Sequence, residues 1–432
     1  MQTSFSLAQL ADPNIATADK ILRNCVHCGF CTATCPTYVT LGDENDSPRG
    51  RIYLIKNMLE NDEKPDAVVT KHIDRCLTCL SCMTTCPSGV DYMHLVDIAR
   101  VRIEEEYDRP WLDRVLRSVL ANLLPRPSLF RIALRSGMAV RAISLHRLLR
   151  GRLRALFDML PEKLPQAATT DAPGVFKPSG VRRGRVALLS GCAQPVLDPG
   201  INAAAIRLLN RAGIEVVVAM GAGCCGALAQ HMGREEDARA AARRNLHAWG
   251  REMDGEGLDA ILITTSGCGT TIKDYGHLFR GDPDEILAQR VAARARDISE
   301  YLVAIGLPPA RQMPELKIAY HAACSLQHGQ RVREAPKDLL RQAGFTVLEV
   351  AESHLCCGSA GTYNLLQPEI AGQLRDRKIA NISRTGADAV SAGNIGCLQQ
   401  LRSGLDQPIL HTVELLDWAS GGPEPTALRD RL

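Results

Sequence analysis

A chain of 432 residues has room for roughly two to four domains, and its 45% hydrophobic and 23% charged residues are an ordinary globular mixture. A net charge of +3 gives no global electrostatic case for binding nucleic acid. Sixteen cysteines are far above ordinary use; with no basic-then-apolar opening and no apolar run of about 18 residues, neither a signal peptide nor a membrane-spanning helix is expected, and the thiols are expected in a reducing cytoplasm, free for metal.

Residues 1–24 predict a helical lead-in, with Asp12 as cap and Pro13 at the first helical position, Ile21 and Leu22 packing toward the first cysteines. Those cysteines open the strongest signal in the chain. Cys25-Val-His-Cys28-Gly-Phe-Cys31-Thr-Ala-Thr-Cys35-Pro36 is echoed, after forty residues, by Cys76-Leu-Thr-Cys79-Leu-Ser-Cys82-Met-Thr-Thr-Cys86-Pro87. Each reads C-x2-C-x2-C-x3-C-P, the run of bacterial two-cluster ferredoxins, in which three closely spaced thiolates wrap one cluster and the fourth ligates the other. On that rule Cys25, Cys28, Cys31 and Cys86 hold one [4Fe-4S] cluster, and Cys76, Cys79, Cys82 and Cys35 hold a second. Zinc favours facing C-x2-C pairs and has no use for three equally spaced cysteines followed by Cys-Pro. His27 either tunes the first cluster through a hydrogen bond or lies exposed at its mouth. Between the runs, Ser47-Pro48 predicts a helix start, with Ile52, Leu54, Ile55, Met58 and Leu59 at helical spacing. Arg49 and Arg51 there would neutralise a thiolate-rich cluster, face a partner, or be plain surface charges. Tyr92–Glu106 predicts another helix, closing a helical ferredoxin-type domain over 1–106.

Residues 107–160 form a basic amphipathic helical region. From Arg114 to Phe157 there is no Asp or Glu, but there are ten arginines: 114, 117, 126, 131, 135, 141, 147, 150, 152 and 154. Such a stretch suits an anionic membrane surface or an acidic partner; the plainer alternative is a helical linker packed on its own protein. Residues 161–180, rich in Pro and Gly, read as a linker.

The remainder is an internal duplication: a first α/β lobe over 181–312 and a second over 313–432. The first carries Cys192, Cys224-Cys225-Gly226 and Cys268; the second carries Cys324, Cys356-Cys357-Gly358 and Cys397. The first step is 32 residues in both, the second 43 and 40. Short apolar runs before the cysteines, separated by helical patterns, predict parallel sheets with the thiols beyond the carboxyl ends of the strands. The pattern's fullest form would end in C-x2-C, but Thr271 and Gln400 stand three after Cys268 and Cys397. Each lobe thus offers four thiols for a further iron–sulfur cluster, a zinc ion or thiol redox chemistry, with packed reduced cysteines as the bland alternative. His231, His321, His328 and His354 lie near enough in sequence to add ligands, though each alone is more often a hydrogen-bonded structural residue. No Gly-rich phosphate cradle or hydride-accepting site is evident, and no catalytic residue is assigned.

Cys25–Thr37, Ser47–Lys56, His354–Tyr363 and Asn394-Ile-Gly-Cys397, with the chain as a whole, resemble the family of bacterial glycolate oxidase iron–sulfur subunits. The wider architecture is shared with subunits of anaerobic glycerol-3-phosphate dehydrogenase, lactate-utilisation oxidases and heterodisulfide reductase. The resemblance implies two [4Fe-4S] clusters and FAD-containing partner subunits that oxidise glycolate to glyoxylate. It also implies electron transfer toward a membrane quinone, peripheral association with the inner face of the cytoplasmic membrane, and no glycolate oxidation by this chain alone. The alternatives it leaves are the equivalent subunit of a lactate or glycerol-3-phosphate dehydrogenase, and disulfide-reducing chemistry at the Cys-Cys-Gly lobes.

Overall fold

The computed structural model describes residues 1–144, 151–312 and 315–429. Arg147 and Arg150 of the basic stretch, and the expected lobe boundary at 313, lie outside the described residues. The N-terminal part is helical, and its helix starts obey capping chemistry. The Asp12 side chain accepts from the Asn14 amide where Pro13–Asn24 begins, and Ser47 accepts from the Gly50 amide where Pro48–Glu60 begins. Leu22, Ile52, Ile55 and Met58 pack with Leu95, Ala99 and Ile103 of the helix Tyr92–Glu106, in a core that reaches Cys25, Cys76 and Cys82.

Two sheets make up the C-terminal part. The first contains β1 (Gly174–Phe176), β2 (Gly184–Leu188), β3 (Ile214–Val218), β4 (Ala260–Ile263) and β5 (Ala295–Asp297), in the order β1-β3-β2-β4-β5. All its pairs are parallel except β1 with β3. The second contains β6 (Lys317–His321), β7 (Thr346–Glu349), β8 (Ala389–Ala392) and β9 (Ile409–His411), all parallel, in the order β7-β6-β8-β9. Leaving β1 aside, the two orders coincide. The register coincides too: Val186 opposes Ala260, and Ile318 opposes Ala389, each pair lying six and eight residues before its lobe's first and last cysteine. In both sheets the last strand runs into a capping box, Asp297 with Glu300 and His411 with Glu414.

Three strands escape the sequence pattern. β1, β5 and β9 are three residues each, too short for periodicity to register. β1 also falls inside 161–180, so that stretch is more than a linker: it adds an edge strand, and its Asp171 accepts a hydrogen bond from Asn202 at 2.7 Å.

The basic region forms the helices Trp111–Leu123, Pro127–Ala142 and Gly151–Asp158. Its lack of acid is met from outside. Arg117 bonds Asp74 at 2.7 Å and Asp113 at 3.0 Å, and Arg152 bonds Asp113 at 2.5 Å. Arg131 donates to the carbonyls of Pro165 and Pro195, Arg141 to those of Leu160 and Pro161, and Arg154 pairs with Asp158. Arg114, Arg126 and Arg135 are exposed. Among the described residues no helix is long and apolar enough to cross a membrane.

One polar junction docks the helix Tyr92–Glu106 on the first lobe. His94 sits between Asp91, at 2.6 Å, and Asp274, at 3.0 Å, with its ring stacked on His277 at 3.5 Å. Burial alone would lower the His94 pKa, but the two carboxylates outweigh it and push it up to about 10. A histidine raised from 6.5 stabilises the fold fully below that value, and its contribution is lost as pH rises through about 10. Replacing His94 by Gln is therefore expected to cost about 2 kcal/mol below neutral pH, with the gap to wild type closing as pH rises toward 10. Thermal unfolding across that range measures it; a gap independent of pH would show that His94 is not held as the cation.

Candidate metal centres

The ferredoxin-type cysteines line two small adjoining cavities. Cys25, Cys28, Cys31 and Cys86 line one, and Cys35, Cys76 and Cys79 line the other; Cys82 borders both. All eight are free thiols. A ring of four thiols round one void is the donor set of a [4Fe-4S] cluster, and nothing in it resembles the paired knuckles of a zinc site. Positive φ at His27, Gly29, Thr78 and Leu80 turns the backbone around these voids. The two cavities differ in exposure: Cys28 is exposed beside Val26, His27 and Phe30, whereas Cys35, Cys76, Cys79 and Cys82 are all buried.

Burying thiols suppresses their charge, and the local cations decide which ones escape. Burial pushes Cys79 and Cys82 well above the ordinary thiol value, and it pushes Cys31 up to about 11. Burial acts on Cys76 too, but the guanidiniums of Arg51 and Arg100 outweigh it and bring this thiol below its ordinary value. Cys76 Sγ also receives hydrogen bonds from the Tyr92 hydroxyl at 3.6 Å and the Thr78 amide at 3.4 Å. Arg51, 1% exposed, donates to the His72 carbonyl at 2.7 Å, to Thr37 at 3.0 Å and to Asp46 at 3.3 Å, and reaches Cys35 Sγ at 3.8 Å. Arg49 differs: it pairs with Glu44 at 2.7 Å near the surface, and its guanidinium lies over Gly29.

The other eight cysteines share one cavity. Cys192, Cys224, Cys225 and Cys268 line it from the first lobe, and Cys324, Cys356, Cys357 and Cys397 from the second. Its volume is about 440 Å³. Each cysteine lies just beyond the carboxyl end of a strand, from β2, β3 and β4 in one lobe and β6, β7 and β8 in the other. Leu116, Leu120, Leu123, Phe130 and Leu134 of the basic helices roof the space, so much of their apolar face is turned inward. The Cys-Cys-Gly bend has a steric cause. Gly226 and Gly358 have φ of 90° and 88°, and a Cβ on either would lie 2.7 Å from the Ala238 carbonyl oxygen or 2.5 Å from that of Ala371.

Within the second lobe, Cys324 and Cys356 lie 3.8 Å apart and Cys357 and Cys397 3.4 Å apart. In the first, Cys192 contacts Cys224 and Cys225 contacts Cys268; contact with neighbouring thiols and burial push Cys192 and Cys225 well above the ordinary thiol value. Four thiols packed this way can all ionise only beside a cation. The second lobe is also coupled to the ferredoxin-type part: Cys79 is close enough to Cys324 and Cys356 to influence their charge, and His328 bridges Thr84, at 2.7 Å, and the His354 carbonyl, at 3.1 Å. That assigns His328 to structure. His354 is half-buried and His231 borders the large cavity. His321 stands apart, grouped with Cys357 and Cys397. Tyr92, Arg100 and Lys378 were not legible as site residues, because only folding brings them to the thiols.

Comparison with known proteins agrees with the motifs. The model of a 4Fe-4S dicluster domain matches residues 21–90, and that of a cysteine-rich domain matches twice, at 186–273 and 318–402. The chain is 42% identical to the glycolate oxidase iron-sulfur subunit of Escherichia coli (strain K12), over 97% of this chain and 99% of that protein. It is 33% identical to the probable glycolate oxidase iron-sulfur subunit of Bacillus subtilis (strain 168), over 93% and 94%. Among solved structures, a hypothetical protein from Helicobacter pylori shares the fold at a TM-score of 0.52 and 12% identity, across 96% of this chain and 74% of that one.

Replacing Arg51 by Leu would strip one counter-charge from Asp46, which is 0% exposed. It would also remove the cation beside Cys35 and Cys76. A loss of about 3 kcal/mol is expected, together with preferential loss of iron from one of two centres, read by thermal unfolding and iron content. Unchanged iron and stability would show that the buried guanidinium serves neither.

Proposed function

The chain belongs to the family of glycolate oxidase iron–sulfur subunits, and on that premise we propose how it carries electrons. It is the electron-transfer subunit of an oxidoreductase complex with other subunits, and it uses iron–sulfur clusters. Clusters pass electrons singly, whereas the two-electron oxidation of glycolate belongs to flavin; this chain's part is to hold, insulate and connect the centres.

Cys25, Cys28, Cys31 and Cys86 ligate the first [4Fe-4S] cluster, and Cys35, Cys76, Cys79 and Cys82 the second. The first is the entry point. Cys28 is exposed, and Val26 and Phe30 beside it are 68% and 63% exposed, an apolar edge on which an FAD-bearing subunit docks. The second is the inner relay, its charge balanced by Arg51 and Arg100. The observation that carries this reading is the continuity of the sites: Cys82 borders both small cavities, Leu77 and Thr78 line both the second of them and the large one, and Thr84 bonds His328 of the second lobe at 2.7 Å. The lobes, related by duplication, hold a further metal centre or redox-active thiols at their shared cavity, on the way to a quinone. The domain limits are 1–106, 107–160, 161–180, 181–312 and 313–432, with β1 of the linker joining the first lobe.

A membrane role for the basic helices narrows to a few side chains. Arg131 and Arg141 clamp neighbouring carbonyls, which among the described residues leaves Arg114, Arg126 and Arg135, with exposed Trp111, Leu112 and Ile132, to meet an anionic surface. Charge reversal at Arg114, Arg126 and Arg135 is expected to abolish binding to anionic vesicles without unfolding the chain. Unaltered vesicle binding would return these helices to a packing role.

The central test is iron and acid-labile sulfide per chain, prepared anaerobically, with EPR of the reduced protein. About eight iron and two interacting [4Fe-4S] centres are expected from the ferredoxin-type part, and any excess is assigned to the lobes. Phe30→Glu should leave iron unchanged but slow glycolate-driven cluster reduction in the assembled complex by roughly tenfold or more. Little iron with bound zinc would overturn the reading.

A further inference from the structure

We propose that His321 is a metal ligand of the second lobe, forming with Cys357 and Cys397 a mixed nitrogen–sulfur donor set that the first lobe lacks. The inference rests on the reading that the lobe thiols hold a metal centre, and it names a ligand and an asymmetry which that reading does not contain.

Three observations carry it. A ring nitrogen of His321 and the sulfurs of Cys357 and Cys397 lie within 4.8 Å of one another, and all three residues are buried. His321 is 2% exposed, yet neither ring nitrogen has a hydrogen-bond partner among the described residues. A buried polar group without a partner is unfavourable; among the described residues His231 also leaves one ring nitrogen, Nδ1, unpaired, but it forms no such group with cysteine sulfurs, and the other buried imidazoles are bonded. His411 bonds the Thr264 carbonyl and the Val413 amide, and His72 bonds Asp46. An imidazole without a protein partner beside two thiols has the donor chemistry of a metal ligand.

The third observation is the comparison between lobes. His321 is the last residue of β6, three before Cys324; three before Cys192 stands Leu189, which is 3% exposed and has nothing to donate to a metal. The second lobe also carries a buried cation in place of a neutral amide. Lys378 is 2% exposed and donates to the Glu352 carbonyl at 2.6 Å, while its counterpart Asn245 spans the Gly223 amide and the Cys224 carbonyl. Gln400, at the position of the motif's absent last cysteine, is committed elsewhere: it accepts from Asn364 at 3.0 Å and donates to the Ala371 carbonyl at 3.2 Å. The vacant ligand position is therefore filled from the strand end rather than from the helix. Two thiolates and a neutral imidazole suit a thiophilic transition ion, either an iron of a cluster or zinc.

The test uses the full-length chain, anaerobically purified with iron and zinc measured, and compares His321→Leu, which copies the first lobe, with Cys397→Ser. If the ion is iron, pulsed EPR of protein labelled with 15N-histidine should show a directly coupled histidine nitrogen that disappears in H321L, while the ferredoxin-type signals persist. If the ion is zinc, X-ray absorption at the zinc edge should show a nitrogen neighbour lost in the same variant, or the zinc itself lost. Metal-free H321L should unfold no earlier than metal-free wild type, because no hydrogen bond is removed, so lost metal cannot be put down to misfolding. If C397S loses lobe metal while H321L keeps it with no change in nitrogen coupling, His321 is structural and the proposal falls, although the lobe reading survives. If neither variant alters metal beyond the ferredoxin-type iron, both fall.

Discussion

A guanidinium sealed from water sets the terms for the N-terminal half. Arg51 cannot stay charged there unless its desolvation is offset, and Asp46, the His72 carbonyl and Thr37 supply that offset in a fixed geometry. Asp46 is in turn held by Arg75 at 2.7 Å and His72 at 2.9 Å. The same network reaches the metal site. The Asp46 carbonyl accepts from Thr37 at 2.7 Å, and Thr37 and Arg51 both touch Cys35. The forty-residue insert between the cysteine runs thus places a permanent positive charge where buried thiolates require one. A lysine could carry the charge but not the fork of donors.

In the lobes the constraint is steric rather than electrostatic. Adjacent cysteines can face one cavity only if the chain turns at once, and the turn lies against the backbone of the next long helix. Gly226 beneath Ala238 and Gly358 beneath Ala371 solve the same problem twice. The parallel strands bring the remaining thiols to the same edge, since β2 and β4, like β6 and β8, end side by side. Because both lobes turn that edge inward, the eight thiols meet across one apolar space, sheltered by helices whose leucines face it.

How much of this was legible depended on range. The cysteine spacing, the caps at Asp12 and Ser47 and the helix Tyr92–Glu106 are local, and local chemistry determines them. The basic stretch was legible as amphipathic helix but not in its role. Nothing local tells Arg131, which grips Pro165 and Pro195, from Arg135, which is exposed. The roofed cavity was invisible for the same reason, because it is made by segments as far apart in sequence as Leu77 and Cys397. Short edge strands such as Ala295–Asp297 carry too few residues to print a period, and they form because the neighbouring strand β4 offers a free edge.

Exposure and charge distinguish the two ferredoxin-type sites. The cavity with Cys28 at its edge opens to the surface among apolar side chains, while the one containing Cys35 and Cys76 is enclosed and flanked by two guanidiniums. At the inner site two guanidiniums and hydrogen bonds to Cys76 offset the cost of burying negative charge. From there the nearest thiols are those of the second lobe, the lobe that also carries a buried lysine and an unpartnered imidazole where the first has asparagine and leucine. Duplication supplied two similar pockets, and these substitutions separate them. The functional difference between the lobes is therefore to be sought in the residues around the cysteines, because the cysteines themselves are the same in both.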